Sequence, residues 1–160
     1  MLTVRQVVGV LTDRVRVDLG RLVCEPHRNS AGLLRVIALE PALDSELRRH
    51  LHEGTLAIGP GALSRMIEMV LATMTESKRT HQPLALLVDQ KLRRPLKSVL
   101  TRPAPDLAII AYQELPGDLS IETAAILPCD HIMGDDLKND AGGAPAAGAT
   151  PDAPAVTKAA

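Results

Sequence analysis

The sequence predicts a small α/β domain (of the α+β kind) with an N-terminal helix and a disordered C-terminal tail, on three observations. Short apolar runs at Leu33–Leu39, Leu84–Val88, Leu107–Ala111 and Leu119–Leu127 alternate with amphipathic helical stretches. At helical spacing, Val4, Val7, Val8, Leu11, Val15, Leu19 and Leu22 fall on one stripe. The last twenty residues hold 15 Ala, Gly or Pro and little that can pack. Three segments follow: a helical segment over 1–26, an α/β subdomain over 33–128, and a disordered tail over 134–160.

The first helix is expected over residues 3–24, ended before Pro26. A six-residue strand-like alternation at Arg14–Leu19 is outweighed by the seven stripe matches. Val10 and Val17, one heptad apart on the opposite face, offer either stray exposed valines or a second contact surface. After a polar loop, Leu33–Leu39 reads as a strand, and Pro41 opens a helix running to about His52, ended by Gly54. Leu43, Leu47 and Leu51 share one face of it.

A second helix over 61–80 puts Leu63, Met66, Ile67, Val70, Leu71 and Met74 on a stripe that reads as core. Leu84–Val88 is a buried strand, and Asp89 caps a helix at 90–101. Pro95 implies a kink there, or a helix starting only near Arg94. Leu107–Ala111 is the next strand. Pro116-Gly117-Asp118 turns the chain into a last one, Leu119–Leu127. The sheet is expected to be mixed, with three or four strands and flanking helices.

Composition narrows the function classes. The 160 residues include one Tyr and no Trp or Phe, which disfavours base stacking and stacked-aromatic sugar sites. Net charge is −1, so no global field favours polyanions. The charge is uneven: residues 1–102 carry 16 Lys and Arg against 10 Asp and Glu, and residues 103–160 carry 2 against 9. Cys24 and Cys129 are too few and too distant in sequence to make a disulfide framework. No run approaches the roughly 20 apolar residues that span a bilayer, and the expected location is the cytoplasm.

No constellation of catalytic spacing emerges, and neither a cofactor nor a metal site is expected. Leu56–Ser64 resembles half of a dinucleotide-binding turn, with Gly59 and Gly61 in place. Ser64 stands where the third glycine belongs, and Pro60 removes an N–H from the phosphate cradle. A small nucleotide-binding enzyme using Gly59–Ser64 is the alternative reading. His50 and His52 point to opposite sides of a helix, with His50 on the apolar side at a core edge. His131, beside Cys129 and Asp130, has no second pair to complete a metal site. Lys91, Arg93, Arg94, Lys97 and Arg102 crowd one helix, which without aromatic interleaving suits a protein contact or a solvated face better than nucleic acid.

The order of segments carries a resemblance. Leu33–Leu47 (LLRVIALEPALDSEL), the helix at 61–80, Leu84–Leu100 (LALLVDQKLRRPLKSVL) and Leu107–Ile121 (LAIIAYQELPGDLSI) follow one another as in a known family. Together, with Asp18–Cys24 upstream, they resemble the C-terminal end of the large export-gate protein of type III secretion, the flagellar and injectisome export-pore family. The match runs from about residue 3 to Leu127. Tyr112-Gln113-Glu114-Leu115 is similar to injectisome members.

The resemblance implies a non-enzymatic role. The family's cytoplasmic part packs as a homo-oligomeric ring beneath a membrane-anchored pore and receives export chaperones, substrates or a gatekeeper protein. The bacterial inner membrane would anchor the parent protein. Residues 1–26 would then be the end of the ring-forming subdomain and 33–128 the terminal subdomain. Val4, Val8, Leu11 and Val15 would pack on other chain, leaving an apolar stripe open here. Arg93, Arg94, Tyr112 and Glu114 are the remaining candidate protein contacts.

Overall fold

The computed structural model describes residues 3–141. Thr3 opens the first helix, α1 (Val4–Asp18), with a reciprocal cap: Gln6 N–H donates to Thr3 Oγ1 and Thr3 N–H to Gln6 Oε1. The single helix expected over 3–24 is broken at Leu19 (φ −101°, ψ 25°) and resumes as α2 (Gly20–Cys24), followed by a 3-10 turn at Glu25–His27. The break has a steric setting. Gly20 passes so close to the Glu114 carbonyl that a Cβ would lie 2.2 Å from its oxygen.

Strand β1 (Leu34–Leu39) leads into α3 (Pro41–Arg49), with Pro41 in the first turn. α3 stops at His50 rather than His52. A hairpin follows, β2 (Leu51–His52) and β3 (Thr55–Leu56), turned by Glu53 and Gly54, both at positive φ. Gly54 therefore serves a two-residue hairpin turn, which needs left-handed backbone at both positions. Then come α4 (Pro60–Arg79), β4 (Ala85–Val88), α5 (Gln90–Leu100), β5 (Ala108–Ala111), a 3-10 turn at Tyr112–Glu114, β6 (Ile121–Leu127) and α6 (Cys129–Ala141). Asp89 caps α5 by accepting from Lys91 N–H, and the helix runs continuously from Gln90 through Pro95.

The strands form one four-stranded sheet in the order β5-β4-β1-β6. Every pair in it is parallel, so the expected mixed sheet resolves into a parallel sheet and a separate antiparallel hairpin. Both faces are covered, as parallel sheets require. Ile37, Leu39, Leu86, Val88 and Ile109 belong to the larger core, with α3 to α6. Leu34, Val36, Ala85, Leu87 and Ile110 pack with Cys24, Leu115 and Leu119 from α2 and the β5–β6 connection.

The unstructured tail was expected from near residue 134, but α6 runs on to Ala141. Ile132 and Met133 are fully buried and Leu137 packs against the same core, which anchors the helix. Glu40 Oε2 accepts from Cys129 N–H at 2.6 Å, satisfying a free donor at the start of α6. Residues 142–160 of the expected tail lie outside the described residues.

Candidate protein-contact site

α1 is amphipathic the wrong way round for a helix packed on a core. Its buried positions are Gly9 and Asp13, with Arg16 beside them. Its apolar stripe faces solvent: Val4 is 81% exposed, Val8 56%, Leu11 59% and Val15 53%. Leu22 on α2 continues the exposed surface. Val10 on the opposite flank is also exposed.

The inward side is held by charge. Asp13 accepts from Arg93 Nη2 at 2.6 Å and, with its other oxygen, from Arg94 Nη2 at 2.8 Å. Glu114 accepts from Arg16 Nε at 2.7 Å and Nη2 at 3.0 Å. Its Oε1 also lies 3.4 Å from the buried Arg93 Nε, an ion-pair contact without hydrogen-bond geometry. Ala111 N–H reaches Glu114 Oε2 at 3.4 Å, tying the acid to the end of β5. Glu114 is 1% exposed, so its charge depends on these partners.

Three candidate contacts therefore take different places from those expected. Arg93 and Glu114 are internal, and Arg94, though half-exposed, is engaged with Asp13. The basic cluster on α5 is divided accordingly: two of its arginines turn to α1, while Lys91, Lys97 and Arg102 remain exposed. Tyr112 stays at the surface, 43% exposed. Its turn is fastened to the start of α5, where Gln113 Oε1 accepts from Gln90 N–H at 3.1 Å. Partial burial, then the charges of Asp44 and Asp89, raise the Tyr112 phenol above its ordinary value.

Sequence reasoning missed Asp13 and Arg16 as fold-holding residues. The signal was present as a second stripe: Gly9, Asp13, Arg16 and Gly20 recur at spacings of 4, 3 and 4 opposite the apolar one. Their partners lie about 80 to 98 positions away and carry no local sign.

Other environments follow from the same geometry. His27 is lowered by burial and then by the nearby Arg16 charge. Burial, reinforced by Glu114, raises the Cys24 thiol. His50 is half-buried with Nδ1 2.7 Å from the Glu46 carbonyl, while His52 sits exposed in β2. Among the described residues no group of His, Cys, Asp and Glu could hold a metal ion, and no helix is long and apolar enough to cross a membrane.

Acidic side chains stand at the start of α4 and at the ends of β1 and β6. A Cβ at Gly59, the residue before α4, would lie 2.8 Å from Asp136 Oδ2, so a carboxylate already faces that helix start. In open parallel sheets, ligands settle where strand order reverses. Here that is between the ends of β1 and β6, where Glu40 is bonded to Cys129 N–H. At the Gly59–Ser64 turn, where the Asp136 carboxylate stands, the Arg65 guanidinium lies 3.1 Å from where a Cβ of Gly61 would be.

Fold and site together define an α/β module whose buried charges hold its own parts together and whose open feature is an apolar helix face. The chain belongs to the FHIPEP family, whose model matches residues 2–120. It is 28% identical over 117 residues to the flagellar biosynthesis protein FlhA of Yersinia enterocolitica, covering 73% of this chain and 17% of that one. It is 21% identical over 115 residues to the invasion protein InvA of Salmonella typhimurium, covering 69% and 17%. The chain thus spans about one sixth of the length of these relatives. Among solved structures, it is similar to the nonameric SctV-C of EPEC (TM-score 0.65, 20% identity, 75% of this chain and 37% of that one). It also resembles the C-terminal domain of InvA (TM-score 0.60, 20% identity, 73% and 37%).

Proposed function

We propose that this chain is a non-enzymatic, cytoplasmic part of a type III protein export gate of the injectisome kind, working by protein–protein contact. The observation that carries the reading is the outward apolar face of α1: Val4, Val8, Leu11 and Val15 side by side in solvent on a helix whose opposite face is fixed by ion pairs. Such a face is stable only marginally in water and gains free energy when covered, about 25 cal/mol per Å² of apolar surface. In a ring of like subunits beneath a membrane-anchored pore, the face packs on neighbouring protein. The α/β body with Tyr112 presents a second surface to export chaperones, substrates or a gatekeeper. Membership of the FHIPEP family and the nonameric assembly of similar structures support this.

The mechanism is docking and hand-over, with no bond made or broken. The test is export. With Leu11→Asp introduced in the chain's own gene, release of type III substrates into the medium falls to background while the protein is still made. Normal export by that variant refutes the proposal.

A further inference from the structure

We propose that α1 is an arm fastened to the α/β body by an ionic latch rather than by apolar packing, and that the latch runs through Glu114 into the Tyr112 turn. Neither apolar cluster contains a side chain from Val4–Asp18. An isolated helix of 15 residues is marginal in water, so its order depends on what it is tied to. The ties are Asp13, one oxygen to each of Arg93 and Arg94, and Arg16, with two bonds to Glu114. Gly9 makes room for the Arg94 guanidinium, which a Cβ there would meet at 1.7 Å. Beyond the last tie the helix breaks at Leu19, and Gly20 rests against the Glu114 carbonyl, which marks the pivot.

Glu114 ends the 3-10 turn that begins at Tyr112, so the acid gripping the arm also positions the exposed tyrosine. Freeing α1 withdraws Arg16 from Glu114 and loosens that turn. The outward face of α1 and the surface around Tyr112 are thereby coupled: an occupant that displaces the arm is felt at the tyrosine. The latch stands independently of what covers the apolar face.

The full chain supplies its own probe, because Tyr112 is the single tyrosine and there is no tryptophan. Amide hydrogen exchange over residues 4–18 and tyrosine emission are read for Asp13→Asn, Arg16→Gln, Arg94→Gln and Leu11→Ala. Asp13→Asn and Arg16→Gln speed exchange in α1 at least tenfold, Arg16→Gln also changes Tyr112 emission, and β1 and β4 keep their protection. Arg94→Gln, which leaves the Asp13–Arg93 bond, gives a smaller increase and keeps the test valid if the stronger variants do not fold. Leu11→Ala leaves α1 protected. Unchanged exchange in the charge variants, release of α1 by Leu11→Ala, or loss of protection spreading equally to β1 and β4 would each overturn the latch.

Discussion

Arg16 and Glu114 lie 98 positions apart and meet in a two-bond ion pair of 2.7 and 3.0 Å, with the carboxylate almost wholly out of water. The pair joins the N-terminal helix to the turn after β5. It makes the apolar stripe of α1 face outward, because the polar side of the helix is the side that is held.

Glu114→Gln removes a buried charge and leaves Arg16 and Arg93 facing a neutral amide. Breaking one partner of a buried pair typically costs about 3–5 kcal/mol. Arg16 is partly exposed, so the lower end applies, about 3 kcal/mol in urea unfolding. A loss under about 1 kcal/mol would mean that the pair contributes little.

Gly20→Ala pushes a methyl group against the Glu114 carbonyl, a backbone atom that cannot swing aside. The expected loss is about 1–3 kcal/mol, as for overpacking elsewhere. Gly117→Ala is the control: nothing lies within 4 Å of its Cβ position, and its effect stays within about 0.5 kcal/mol.

His27 gives a pH signature. Burial, followed by the charge of Arg16, lowers it in the folded chain, so the unfolded chain takes up the proton first as pH falls. Its contribution to stability is therefore complete above the ordinary histidine value and is lost as pH drops from there through the lowered one. NMR titration of the ring reads the midpoint directly. Arg16→Gln moves it back toward the ordinary value, and an unmoved midpoint contradicts the assignment.

Much of this fold is legible in the sequence, because buried parallel strands read as unbroken apolar runs, as at Ala85–Val88 and Ala108–Ala111. The hairpin at Leu51–Leu56 was hidden because Glu53, an uncommon residue at positive φ, supplies half of its turn. The end of the fold was misplaced because Ile132, Met133 and Leu137 are only three apolar anchors among acids and glycine. At the site, the stripe was readable from spacing, but its outward aspect followed only from the family resemblance. The charges behind it were not readable, because Asp13 finds Arg93 only once the sheet has brought α5 beneath α1.

Buried cysteines give a further check. Cys24 and Cys129 are both free, buried and raised by that burial, so neither thiol is readily ionised. Native protein at neutral pH is expected to alkylate at least tenfold more slowly than urea-unfolded protein. Equal rates would place a thiol at the surface.

The central claim is that the outward face of α1 is covered by protein in the cell. The direct measurement is site-specific photocrosslinking in the producing bacterium, with the photoreactive residue replacing Val8 or Leu11 and, as a control, the exposed Glu53 in the β2–β3 turn. The account predicts adducts to a component or cargo of the export apparatus from Val8 and Leu11, and none from Glu53. No adduct from α1, or the same products from all three positions, would contradict it.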